Sequence, residues 1–115
     1  RARRLRQAGA SYGTIHAGGG RDTHGDNFKQ RKDNLLPKFD RAVAALVQDL
    51  YDRGLASDVL VMAFGEFGRT PRINGGAGRD HWPGAMSILF AGGGLRMGQA
   101  IGTTDPRAEA AATKP

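Results

Sequence analysis

Apolar residues recur at three- and four-residue steps most regularly in one stretch of this chain, at Leu36, Phe39, Val43, Leu46, Val47 and Leu50. That spacing is a single stripe of a 3.6-residue period and predicts a helix from about Leu35, with Lys38, Arg41, Gln48, Asp49 and Asp52 on its other faces. Asn34 is placed to cap it, Pro37 falls in the tolerant first turn, and Gly54 suits the exit. A second pattern is a continuous apolar run without alternation, Val59–Phe64, bounded by Asp58 and Gly65. It predicts a strand buried on both faces, the kind found in a parallel sheet covered by helices. Ala85–Ala91 is a similar run, closed by Gly92, Gly93 and Gly94 in a tight turn. Tyr12–Ala17 is rich in β-branched and aromatic residues and predicts a short strand ahead of Gly18, Gly19 and Gly20. Leu95–Ile101 has room for a short hairpin return. The order strand, helix, strand, with polar loops leaving the strand ends, predicts an open α/β sheet whose ligands sit beyond the carboxyl ends of its strands.

The ends of the chain differ from this interior. The first ten residues are basic and read as the tail of a helix ending near Gly9, one that begins abruptly, as the trimmed end of a longer segment would. Thr103–Pro115 is polar and alanine-rich, and residues 108–115 are expected to be a disordered tail behind one α/β unit over residues 1–107.

Composition narrows the chemistry. A length of 115 residues allows one small core and not two. The absence of cysteine removes disulfides, thiolate zinc sites and cysteine nucleophiles, so any metal must be held by His, Asp, Glu or Asn. No apolar run approaches the roughly 20 residues of a membrane helix, and the arginines at positions 1, 3, 4 and 6 are not followed by a signal-peptide apolar segment, which argues against a membrane partner. That leaves the compartment open. A net charge of +6 suggests a basic nucleic-acid or anion-binding module as an alternative function. The aromatic content of 7% and the lack of aromatic residues between the basic ones argue against nucleic acid. Glycine, with 18 residues, is about twice its average usage of roughly 7%, and it concentrates in two polar loops.

Those loops hold the candidate chemistry. The first carries Asp22, His24, Asp26 and Asn27; the second carries Glu66, Arg69, Arg72, Asn74, Arg79, Asp80 and His81. Carboxylates and imidazoles suit divalent transition metals, and two such groups from each loop would fill a coordination shell if the loops met. Ions held there would stabilise the oxygens of a phosphoryl or sulfuryl group, with Arg69 placed to grip its charge. An Asp-x-His in a glycine-rich loop also serves as a turn and cap, so the loop could be purely structural. His16 fits a core or edge histidine, and Trp82 with Pro83 fits either a pocket wall or loop packing.

The succession GGRDTHGDNF, a helix of about twenty residues, LVMAFGEFGRTPRIN and GRDHWPGAMSILFAGGG resembles the C-terminal part of a sulfatase-like bacterial family of uncharacterised function, within the alkaline phosphatase superfamily. The resemblance covers about residues 1–107. It implies a three-layer α/β sandwich with a mostly parallel sheet, and a metal-dependent hydrolase acting on phosphate or sulfate esters. It places Asp22, His24 and His81 at one metal site and Glu66 at a second, with Asp80 orienting the His81 ring and zinc or manganese as the expected ion. The Asp22–His24 spacing of two is shorter than the superfamily's usual four, which leaves Asp26 or Asn27 as substitutes. Phe67 follows Glu66 where the superfamily often has His, and Arg21 stands where the related family has Trp. The superfamily's nucleophile lies in an N-terminal portion with no counterpart here, so the expectation is an incomplete segment, either a partial hydrolase or a non-catalytic structural piece. Its exposed sheet edge would favour self-association.

Overall fold

A computed structural model describes residues 4, 7–18 and 20–113. Residues 1–3, 5, 6, 19, 114 and 115 lie outside them, and with them most of the expected N-terminal helix tail. Within it, Ala8 N–H donates to Arg4 O at 3.0 Å.

One helical run dominates. It opens with α1 (Asn27–Gln30), passes through a π-helical turn at Arg31–Leu35 and continues as α2 (Leu36–Asp52). The run therefore starts well before the expected cap. Asn34 sits inside the π turn, and Asp26, in the left-handed region at φ 48°, precedes the first helical residue without a side-chain cap bond. Pro37 explains the register. Its nitrogen cannot donate to a carbonyl one turn back and its ring crowds that carbonyl, so a helix passing through it is locally rewound upstream. The predicted stripe is real but shallow: Leu50 is buried, while Leu36 faces solvent.

The sheet departs from the expected architecture. β1 (Leu60–Ala63) pairs antiparallel with β4 (Leu89–Gly92), Leu60 opposite Gly92 and Ala63 opposite Leu89. β2 (Gly68–Arg69) pairs antiparallel with β3 (His81–Trp82) in a separate two-stranded ribbon. This overturns the three-layer, mostly parallel α/β sandwich. A parallel pair needs a crossover, usually a helix, between its strands. The connection between β1 and β4 is instead the glycine-rich loop that carries the small ribbon, so the strands meet head to tail. Nor is β1 buried on both faces: Leu60 and Met62 are exposed while Val61 and Ala63 are half-buried. The helical run makes no extended contact with either sheet, so no layers form. Tyr12–Ala17 forms no strand, Tyr12 and Ile15 being exposed, and Leu95–Ile101 does not return as a hairpin.

Short bonds tie the pieces together. Leu55 N–H donates to Leu50 O and Gly93 N–H to Ala56 O, at 2.9 and 2.7 Å, which pins the end of α2 to the turn after β4. That turn uses positive φ at Gly92, Gly93 and Gly94, conformations that glycine adopts without steric penalty. Beyond it, Thr104 bridges Ala111, and Trp82 Nε1 donates to Glu109 O at 2.6 Å. No helix among the described residues is long and apolar enough to cross a membrane.

Candidate metal centre

The two chemistry-bearing loops converge, although not as neighbouring strand ends of one parallel sheet. The meeting point is built on backbone. Asp26 N–H donates to Gly76 O at 2.9 Å and Asn27 N–H to Ala77 O at 3.1 Å, so the start of α1 is stitched to the loop between β2 and β3. Gly78 makes this approach possible. A Cβ added there would lie 1.8 Å from the His24 carbonyl oxygen, inside any allowed contact.

Asn74 organises the junction. Its Oδ1 accepts the N–H groups of Gly76 and Gly78, at 3.0 and 2.9 Å. Its Nδ2 donates to His24 O at 3.0 Å and reaches both Asp80 carboxylate oxygens at 3.2 Å. The sequence Asn-Gly-Gly signals a turn at this place, but nothing in it shows that the amide bridges two loops.

Asp22, His24 and His81 come together here, each offering a ligand atom within 4.8 Å of the others. His81 Nε2 donates to Asp22 Oδ1 at 2.8 Å. His24 Nδ1 donates to Asp80 Oδ1 at 2.6 Å, and its Nε2 faces Asp22 Oδ2 at 3.2 Å. Arg69 Nη2 also donates to Asp22 Oδ1. The imidazole rings stand 4.8 Å apart, and Phe67 packs on His81 with centroids 4.3 Å apart.

The ionisation follows from these partners. His81 and then Arg69, both donating to the same carboxylate, hold Asp22 well below the usual carboxylate range. The bond to Asp80 raises His24 above the ordinary imidazole value, with Asp22 adding to it. Asp80 is lowered by His24 and by the Asn74 amide. A neutral imidazole can donate from one nitrogen only. Since His24 has a carboxylate at each nitrogen, either it is protonated or another cation stands between Nε2 and Asp22.

The expected site residues are placed unequally. Asp22, His24 and His81 meet, and Arg69 reaches them. Glu66 is exposed at the exit from β1 and is not one of the three convergent ligands. Asp80 buttresses His24 and not the His81 ring beside it, because Asn74 turns its carboxylate toward the other loop. Asn27 is no substitute ligand: it is buried, accepting from the Thr23 hydroxyl at 2.5 Å and from Arg31 Nε at 2.7 Å. His16 is exposed, neither in a core nor on a strand, and is not one of the three convergent ligands.

The donor set fits a divalent transition metal. It comprises one carboxylate and two imidazoles, and the Nδ1 of His24 is held by a carboxylate, the arrangement that orients a ligating histidine.

A family model matches residues 1–115, and the chain belongs to that family, described as "Protein of unknown function (DUF1501)". No curated protein and no solved structure matches the chain.

Proposed function

We propose that this chain is a metal-dependent hydrolase segment for phosphate or sulfate esters, of the sulfatase-like kind within the alkaline phosphatase superfamily. The observation that carries it is His24 set between two carboxylates, with His81 on the same Asp22. Asp22, His24 Nε2 and His81 Nε2 hold one zinc or manganese ion, which supplies Lewis acidity toward an ester oxygen. Asp80 keeps the proton on His24 Nδ1 and so keeps the Nε2 lone pair directed at the site. Arg69, with Nη1 anchored on Arg79 O at 3.0 Å, fixes Asp22 and offers its remaining N–H groups to the charged oxygens of the ester.

The hydroxyls next to the cluster in sequence are already committed. Thr23 donates to Asn27, and Thr70 Oγ1 donates to Arg72 O while accepting from Asp80 N–H. These residues therefore supply ion and anion contacts, and the attacking group comes from elsewhere. The experiment that tests this is inorganic phosphate and sulfate binding with and without zinc or manganese. Oxyanion binding that metal strengthens, with that gain lost in His81→Ala, is expected; equal affinity with and without metal contradicts it.

A second reading is favoured by one specific contact, the Arg69–Asp22 ion pair. In it the cluster is a protein-only lock, with His24 protonated, that pins residues 22–27 to residues 68–81. The lock takes up no metal, which separates the two.

A further inference from the structure

Beside the metal cluster, between the π turn and the β2–β3 ribbon, lies a cavity of ≈ 430 Å³. Its apolar wall is Phe28 and Leu36, and its charged wall is Arg31, Lys32, Arg69 and Arg79. No carboxylate lines it. Among the described residues, no acidic group pairs with Arg31, Lys32 or Arg79, and Arg69 alone reaches one, Asp22. Four cationic side chains line this cavity, their stems supplying much of its wall, and an anion held by their remaining N–H groups offsets their like charge.

The charges are held in place. Arg79 Nη1 donates to Thr70 O at 3.0 Å, and its guanidinium lies 5.5 Å from the centre of the Phe28 ring. Arg69 is anchored on Arg79 O and Asp22, and Arg31 on Asn27. Anchored guanidiniums lose less freedom on binding an oxyanion than free ones do. The π turn contributes the rest. Its wider winding keeps Phe28, Lys32 and Leu36, four residues apart, along one face, and such turns concentrate at functional sites. The volume falls in the range of about 300–1,000 Å³ for small-molecule sites.

We infer that this cavity binds an oxyanion group separate from the one at the metal, so that the ester acted on carries two or more phosphoryl or sulfuryl groups. Arg69 lies on the boundary, touching Asp22 on one side and lining the cavity on the other. Calling the anion a substrate takes the hydrolase function as given; binding it does not.

Calorimetric titration of the metal-free protein with pyrophosphate, inorganic phosphate and sulfate tests this. Pyrophosphate should bind about tenfold or more tightly than either single oxyanion, and Arg31→Ala with Lys32→Ala should lose about tenfold. Lys32→Glu serves if the double variant fails to fold, since Lys32 is exposed and its side chain makes no hydrogen bond among the described residues. His24→Ala with His81→Ala should keep pyrophosphate binding. Binding that is unchanged in Lys32→Glu, or no stronger for pyrophosphate than for sulfate, overturns the inference. Metal uptake without pyrophosphate binding defeats the cavity alone, whereas pyrophosphate binding without metal uptake defeats the hydrolase function alone.

Discussion

Asp22 receives His24, His81 and Arg69 on one exposed carboxylate, and this concentration of donors sets the acid–base behaviour of the site. Asp22 and Asp80 are lowered from 3.8, so their contribution to folding is complete above that value and fades as pH falls through their folded values. His24 is raised from 6.5, so its contribution is complete below 6.5 and fades as pH rises through its folded value. The metal-free protein should therefore be most heat-stable between about pH 4 and 6.5, measured as a melting midpoint across pH. A midpoint that keeps rising above pH 8 would show that the network is not formed in solution. Asp80→Asn should bring the His24 titration, followed by NMR, back toward 6.5. Metal must displace the His24 proton, so uptake should strengthen from pH 6 to 8. Of these contacts, Asp22, His24, Arg69 and His81 were legible from their residue types in two polar loops and from the family resemblance that groups them. The role of Asn74 was hidden, since a bridging amide and an ordinary turn asparagine look the same in sequence, and Asp80 was assigned to the wrong ring for that reason.

At the scale of elements, the apolar stripe of α2 was legible because its period belongs to the helix itself. The start of the run was not, because the start depends on bonds donated by the Asp26 and Asn27 N–H groups to the Gly76 and Ala77 carbonyls across some fifty positions of chain. The apolar runs at Val59–Phe64 and Ala85–Ala91 were legible as strands in part, whereas their direction is set by what connects them. A six-residue apolar run carries no sign of parallel or antiparallel pairing. Gly78→Ala tests the element that joins the loops: its Cβ collides with the His24 backbone, so it should cost about 1–3 kcal/mol and weaken metal uptake. Unchanged stability and uptake would mean the loops do not approach as described.

The whole molecule exposes more than a chain of its mass usually does. Its accessible surface is 9003 Å², about half again the roughly 6,100 Å² of a folded monomer of 12.2 kDa. Its radius of gyration is 16.3 Å where about 13 Å is usual. Leu60, Met62 and Phe90 share one solvent-exposed face of the β1–β4 sheet, with Leu89 exposed on the other, and a two-stranded sheet is marginal alone. The excess exceeds the roughly 800 Å² per partner of a standard interface, so self-association that covers part of this apolar surface is the expected outcome. Sedimentation should show a dimer that Met62→Lys with Phe90→Lys dissociates; a monomer at high micromolar concentration contradicts this. Leu50→Ala, in so thin a core, should cost about 2–5 kcal/mol in chemical unfolding. The excess surface was not legible in a composition of 39% hydrophobic residues, which is compatible with a well-filled core, and self-association was expected only from an exposed sheet edge.

The most direct test of the metal centre is calorimetric titration with zinc and manganese of the wild type and of His24→Ala with His81→Ala, at pH 7.5. Uptake of one ion per chain at micromolar concentration or tighter, lost in the double variant, is the predicted result. No uptake by a folded wild type, or equal uptake by the double variant, would contradict it and leave the cluster as a salt-bridged lock between two loops.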